Sequence, residues 1–314
     1  MNTAEIDCED LNLAIEDLRS QGFRLDAIYP AEDPKSAVLS RGSESVRLAV
    51  PGAPVPPSGL PAFSAEFVLT RAGGQSSDGR AGMLYRDLIP RRMGGRYVAS
   101  HITIPEGGPV SDWVHYHQIA VQMIIVRRGW VRVAYEDQGE PFIMKAGDIV
   151  LQPPLIRHRV LESSPGLEVI EISAPALHAT FADHEMDLPG PRFPQRLFGT
   201  QRFLHHRASL GSWSPFGGGE AQETGMNEAT GGLADVRLVR AGPGGAIEFG
   251  PHAGELVFGF VLEGMARLGE EDLHAADAFV IPPGQGWRLF DASSDFRLLH
   301  VTTARLDADA DCFL

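Results

Sequence analysis

The spacing of hydrophobic and polar positions changes once along this chain. Residues 9–21, EDLNLAIEDLRSQ, put Leu11, Leu13, Ile15 and Leu18 at near-helical intervals, with Gly22 as the stop. That spacing predicts an amphipathic helix, the only substantial one in the chain. The runs FRLDAIYP, SAVLSRG and SVRLAVPG that follow read as short strands broken by Pro and Gly, and PGAPVPPSGLP reads as a linker or an extended arm. From residue 84 nearly to the end, short runs rich in Val, Ile and Phe alternate with Gly and Pro turns. This is the all-β pattern of a sandwich or barrel.

The β pattern occurs twice. GGRYVASHITIPEGGPVSDWVHYHQ is echoed by GGLADVRLVRAGPGGAIEFGPHAGE, and AGDIVLQPPLIRHRVLES by AADAFVIPPGQGWRLFDAS. A repeat of roughly 130 residues implies two copies of one barrel. DLPGPRFPQ and SPFGGGEAQ, rich in Pro and Gly, punctuate the chain between them. Three segments are therefore expected: residues 1–83, a helix-and-strand segment with a Pro-rich linker; 84–190, a first barrel; and 191–314, a second.

Composition narrows the class. With 314 residues, 43% of them hydrophobic, the chain can bury a full core and hold two domains. A formal charge of −14 gives a surface that repels phosphate backbones and anionic lipid, and no basic cluster longer than PRRMGGR offsets it. Nucleic acid and membrane are thereby disfavoured as partners. The start, MNTAEIDCEDLNLAIEDL, is acidic where a secretory signal would be basic, and no apolar stretch approaches the roughly 20 residues that span a bilayer. A cytoplasmic location is expected. Cys8 and Cys312, near opposite termini, make neither a disulfide framework nor a paired-thiolate zinc site and are expected as free thiols.

The candidate chemistry sits in WVHYHQIAVQMIIVRRGW, residues 113–130. Strand residues i and i+2 share a face, so His115 and His117 direct both imidazoles into one space while Tyr116 turns away. Gln122 follows after four intervening residues and Gly129 seven positions later; downstream come Gly147, Pro153 and His158. This arrangement resembles the two sequence motifs of the cupin superfamily over most of residues 90–175. The resemblance implies a double-stranded β-helix, or jelly-roll, barrel with His115, His117 and His158 as three ligands to one divalent metal ion. Gln122 stands in the place of the family's glutamate, and Leu155 replaces a glycine of the second motif. A carboxylate would lower the net charge of the centre to about +1, whereas three imidazoles and an amide leave the full +2. Gln122 is expected either to coordinate through its amide oxygen or to turn away and hold a bound water.

The second copy departs from the motif. Trp287 stands where His158 stands in the first, and an indole has no free nitrogen lone pair for a metal. Only His252 remains of the histidine pair, with Glu255 as a neighbour to pair with it. A metal-free second barrel is expected to be structural, burying a face of the first barrel or building a dimer interface, with Trp287 filling the hole an ion would leave. Metal in the first barrel and none in the second is similar to the pattern of gentisate-type aromatic ring-cleaving dioxygenases, which bind Fe(II) on three histidines. The resemblance implies an Fe(II) dioxygenase acting on a small anionic chelating acid, hydroxylated aromatic or diketone-like. A homodimer is expected. Ni, Mn, Zn and Co suit such a ligand set too. A redox-neutral isomerase or hydrolase and a non-catalytic small-molecule binder remain as alternatives.

Four further histidines, His178, His184, His205 and His206, lack ligand-like spacing to an acid or thiol and are expected as solvated or capping residues. Arg157 and Arg159 flank His158 and should face away from it as ion-pair partners. Trp113, Met123, Ile125 and Phe142 are candidates for either the barrel mouth or the core. The chain carries no Ser-His-Asp order and no phosphate-cradling Gly loop.

Overall fold

The helix forms at Leu11–Ser20, where the side chain of Asp10 accepts a hydrogen bond from the Leu13 N–H at 3.0 Å and so caps the first turn. It buries Leu11, Ile15 and Leu18, leaves Leu13 exposed, and packs on the strands Arg24–Tyr29, Ser36–Arg41 and Glu44–Ala49. These are the three runs read as strands. A fourth, Thr3–Asp7, pairs in parallel with Glu44–Ala49. All five of its residues are exposed, so no apolar alternation marked it in the sequence. The computed structural model describes residues 3–57, 59–78, 82–242 and 244–306, and Cys312 falls outside them. Cys8 is half-buried, with Sγ 3.6 Å from the Ala49 carbonyl oxygen. Among the described residues, no helix is long and apolar enough to cross a membrane.

Past the Pro-rich arm, two antiparallel jelly-roll barrels follow, as the duplicated pattern predicts. The N-terminal sheet does not stop at Arg24–Tyr29. Ala27 and Ile28 pair with Phe181 and Thr180, in the strand Thr180–Ala182, and that strand pairs in turn with His115–His117. The N-terminal segment thus extends the sheet that carries two of the candidate ligands. In the opposing sheet of the first barrel, Val121–Arg128 is an interior strand between Ile149–Gln152 and Leu167–Ala174. In the second barrel the corresponding strand, Val257–Glu263, lies between Ala278–Val280 and Arg297–Thr303.

The barrels lend each other edges. Val68–Thr70, just after the Pro-rich arm, pairs with Ala278–Val280 of the second barrel, while Leu204–His206 pairs with Ile149–Gln152 of the first. Covering a sheet edge in this way removes unpaired backbone groups that would otherwise template aggregation.

Between the barrels lies the largest apolar cluster of the molecule. Met123, Ile125, Ile149, Leu151, Ile170 and Ile172 of the first meet Phe258, Phe260, Val280, Leu299 and Val301 of the second, all at 1% exposure or less. This explains why AVQMIIV is apolar without alternation: one side of the strand faces the barrel interior and the other faces the second barrel. Met123 and Ile125 are therefore core residues between barrels and do not reach the barrel mouth. Glu255 is likewise reassigned. Rather than pairing with His252, its carboxylate accepts from Arg96 Nη2 at 2.9 Å and from the Tyr97 hydroxyl at 3.1 Å, both on the first barrel. A residue read as a remnant of a metal site joins the two barrels.

Candidate metal centre

His115 and His117 project from the short strand His115–His117, and His115 pairs directly with His158 across the sheet. Cross-strand pairing puts the three rings on one face, with ligand nitrogens all within 4.8 Å of one another. It is the one group of three or more potential ligands at such distances among the described residues.

Each ring is held by its other nitrogen. His115 Nδ1 lies 2.8 Å from the Trp113 carbonyl oxygen and His158 Nδ1 lies 3.1 Å from that of Ile156. A carbonyl only accepts, so both rings carry the proton on Nδ1 and present the Nε2 lone pair. His117 Nδ1 meets the Thr180 hydroxyl at 2.9 Å. Carbonyls and hydroxyls in this position orient imidazoles for a metal.

Gln122 is 1% exposed and bound at both ends of its amide. Nε2 donates to Glu171 Oε1 at 2.7 Å, and Oε1 accepts from Gln152 Nε2 at 3.3 Å. Because the Glu171 carboxylate can only accept, the amide NH2 must point towards it, and the amide oxygen faces the Gln152 and His158 side. Gln152 Nε2 also lies 2.9 Å from His158 Nε2, so its amide must give way for that nitrogen to hold an ion.

Glu171 changes the electrostatic picture. The sequence reading left the centre without a nearby carboxylate and with its full +2 charge; the structure instead brings Glu171 to the edge of the site, together with Asp112 and Glu32 among the residues that line the cavity. Glu171 was missed because it lies on a strand distant in sequence. Its signal was there: an acid flanked by Ile170 and Ile172 in LEVIEISA, the second of two glutamates in a run otherwise suited to burial.

The cavity over the histidines measures about 220 Å³. Its walls are chiefly apolar, from Ile102, Val131, Val133, Met144 and Val169 to Tyr135, whose ring stacks on His158 at 5.4 Å. No Lys or Arg is among its described lining residues. Trp113 lines it, as one of the two readings had it, whereas Phe142 instead packs on Tyr135 and His205. The loop to His158 turns through Leu155 at φ 63°, the left-handed conformation a glycine would adopt freely, and Gly284 holds that position in the second barrel at φ 79°. Leu155 keeps the motif's turn at a backbone cost of about 1–3 kcal/mol.

The outlying histidines divide. His178, expected as a solvated or capping residue, is 3% exposed and edge-on to His117, with ring centroids 5.4 Å apart; burial pulls its pKa down to about 4. His184 meets Asp26 at 3.2 Å and His206 meets Gln222 at 3.0 Å, while His205 stacks on Phe142. Arg157 turns away from the ligands as expected, donating to Asp183 at 2.9 Å and covering the Tyr116 ring.

At the second barrel's equivalent position, His252 Nε2 donates to the Thr303 carbonyl oxygen at 2.8 Å, which removes that nitrogen as a ligand. Trp287 is half-buried rather than fully packed. It stacks on Phe249 with centroids 3.7 Å apart and planes 3° from parallel, so it plugs only part of the space.

No family model and no curated protein matches this sequence. Solved structures do. The oxalate decarboxylase of Bacillus subtilis at pH 4.6 superposes with a TM-score of 0.52 at 12% identity, over 81% of this chain and 78% of that one. The oxalate decarboxylase of Lactobacillus farciminis, in its formate complex, gives 0.52 at 14% identity, over 81% and 89%. At such identities the likeness is one of fold, and the fold of this chain is a pair of cupin barrels behind a small α+β segment.

Proposed function

We propose that this chain is a metal-dependent enzyme that holds one divalent ion on His115, His117 and His158, with Gln122 Oε1 as a fourth donor. Its substrate is a small acid with an anionic, chelating head and an apolar body. The observation that carries this reading is the opening of three oriented imidazoles into a mostly apolar cavity that has no Lys or Arg among its described lining residues. In such a cavity an anion's counter-charge has to come from the ion. A bound ion supplies Lewis acidity and a site where substrate and a second small reactant meet.

The chain's own residues do the rest. Trp113, Thr180 and Ile156 fix the imidazoles, Glu171 fixes the Gln122 amide, and the apolar walls exclude water and hold the substrate body. The apolar walls suit a hydroxylated aromatic or diketone-like acid better than a compact dicarboxylate, and Fe(II) with O₂ is the chemistry we assign to it. A redox-neutral reaction, with Mn or Zn, is the second reading. The fold likeness to two oxalate decarboxylases favours it.

The test is elemental analysis of protein purified without added metal, together with O₂ consumption over phenolic acids, diketone acids and oxalate. Iron with O₂ uptake coupled to loss of an aromatic or diketone acid is the expected result. Manganese or zinc with turnover of an acid and no O₂ uptake moves the assignment to the second reading. Protein that takes up none of these metals at saturating concentration overturns both.

A further inference from the structure

The second barrel keeps a cavity where the first has its histidines. It measures about 390 Å³, within the roughly 300–1,000 Å³ of small-molecule sites. One wall is aromatic, made by Phe249 and Trp287 in their parallel stack, with Phe216 edge-on to Phe249. Phe249 covers one face of the indole and Phe279 meets it edge-on at 5.3 Å, and the cavity reaches part of the indole surface that is left.

The deep wall is His300, in the strand Arg297–Thr303, with its ring 4.9 Å from Phe249 and 5.7 Å from Trp287. His300 is 7% exposed, yet no hydrogen bond reaches either of its ring nitrogens among the described residues, and none reaches the Trp287 indole N–H. Both residues line the cavity, so these polar atoms are open to a ligand's polar edge there. Burial pulls the His300 pKa down to about 3. The ring is therefore neutral at physiological pH and offers one donor and one acceptor.

Charge decides the class of ligand. Arg237 is the one cationic side chain among the described lining residues, and it is paired with Asp235 at 2.9 Å and Glu223 at 3.1 Å. The His252 Nε2–H is taken by the Thr303 carbonyl. An entering anion finds no free counter-charge and no metal-ligand set, unlike in the first barrel. An uncharged planar ring finds aromatic surface and unmatched polar atoms together.

We propose that the second barrel is a metal-free receptor for a small, uncharged, planar heteroaromatic molecule, stacked on the Phe249–Trp287 wall with its polar edge on His300. This site is independent of the reading given to the first barrel.

The chain has four tryptophans, and two of them report on the two cavities, Trp113 on the first and Trp287 on the second. The full chain is labelled with fluorotryptophan, the Trp287 fluorine resonance is assigned by its loss in Trp287→Phe, and the protein is titrated with nicotinamide and with uracil. Saturable movement of the Trp287 resonance by at least one of them, with Trp113 unmoved, is expected. Nicotinate, which is charged, and cyclohexanecarboxamide, which is not planar, should leave Trp287 unmoved at the same concentrations. His300→Leu should weaken the active probe by about tenfold or more, through loss of its hydrogen bond. The proposal is overturned if neither probe moves Trp287, if nicotinate and cyclohexanecarboxamide move it as readily, or if a folded His300→Leu protein binds as tightly as the unaltered chain. The comparison of probes on the unaltered protein stands even where His300→Leu does not fold.

Discussion

The two barrels use one backbone plan for opposite interiors. Gln122 and Val257 each stand seven residues before a left-handed glycine, Gly129 and Gly264, and each sits on an interior strand of its sheet. Gln122 pairs with Ser173 and Val257 with Thr302, which puts Glu171 and His300 at equivalent places two residues earlier. His158 corresponds in the same way to Trp287. The second barrel lines the equivalent space with Val257, Phe249 and Trp287 and carries no ligand triad there among the described residues. The first instead buries Gln122, Gln152, His115 and His158, each at 7% exposure or less. Buried polar groups are expensive unless satisfied, and the second barrel shows that the fold does not require this cluster of them. The cluster of Gln122, Gln152 and the three histidines, found in one copy alone, is the reason to assign the metal site there.

The comparison breaks most sharply on metal content. His115→Ala, His117→Ala and His158→Ala should each reduce bound divalent metal by at least about tenfold, a loss comparable to or greater than that from disturbing an orienting partner. His252→Ala should leave it unchanged, because its Nε2 is committed to Thr303. Elemental analysis of the four proteins after identical loading and desalting decides this; equal metal in all four would remove the asymmetry between the barrels.

The next effect is on stability and belongs to the second barrel. Arg96 and Glu255 have side chains 9% and 3% exposed. Removing one member of such a pair leaves a buried charge without its partner. Glu255→Ala should therefore destabilise by about 3–5 kcal/mol in denaturant titrations. His252→Ala should cost much less, although it lies three residues away in the same motif. If Glu255→Ala is neutral and the metal content of the first barrel is also unchanged, the joint between the barrels does not depend on this pair.

What could be read from the sequence follows from what is local. The helix, the three strands after it and the duplicated β pattern were legible because apolar spacing is a short-range signal. The histidines were legible because two share one strand and the third follows a recognisable turn. Leu155 did not obscure that turn, since it adopts the left-handed conformation itself. Thr3–Asp7 was not legible, having no buried face, and neither were contacts made across the fold. Gln122 meeting Glu171 over 49 positions, Arg96 meeting Glu255 over 159 and His178 turning in beside His117 arise from strand order, which periodicity does not encode.

Glu171→Gln sharpens the account of the first barrel. A carboxylate can only accept, and this is what turns the Gln122 amide oxygen towards His158; a glutamine at 171 can donate or accept and lets the amide reverse. The expected loss is about tenfold in metal affinity, measured by competition with a chelator of known strength. Unchanged affinity would mean that Gln152 alone sets the amide, whereas complete loss would make Glu171 a ligand in its own right.

The smallest effect tests whether Trp287 is what keeps the second barrel free of metal. Trp287→His restores the histidine that the first barrel has at the equivalent position. Counting back from Val257 by the spacing that separates Gln122 from His117 places His252 opposite His117 and Gly250 opposite His115. The variant would then offer two histidines, one of them already bonded to Thr303, with Val257 in place of an amide. Two such donors make a poor site, so no second equivalent of metal should appear. The stability cost should be modest, because Trp287 is half-buried and its main partner is Phe249. Loss of that stack, partly compensated by a smaller aromatic ring in the same place, should cost about 1 kcal/mol. A loss several times larger would show that the indole supports the barrel wall as a whole. A second equivalent of bound metal would show that one substitution separates the two interiors, and that the second barrel retains a ligand set which the positions of His252 and His300 do not reveal.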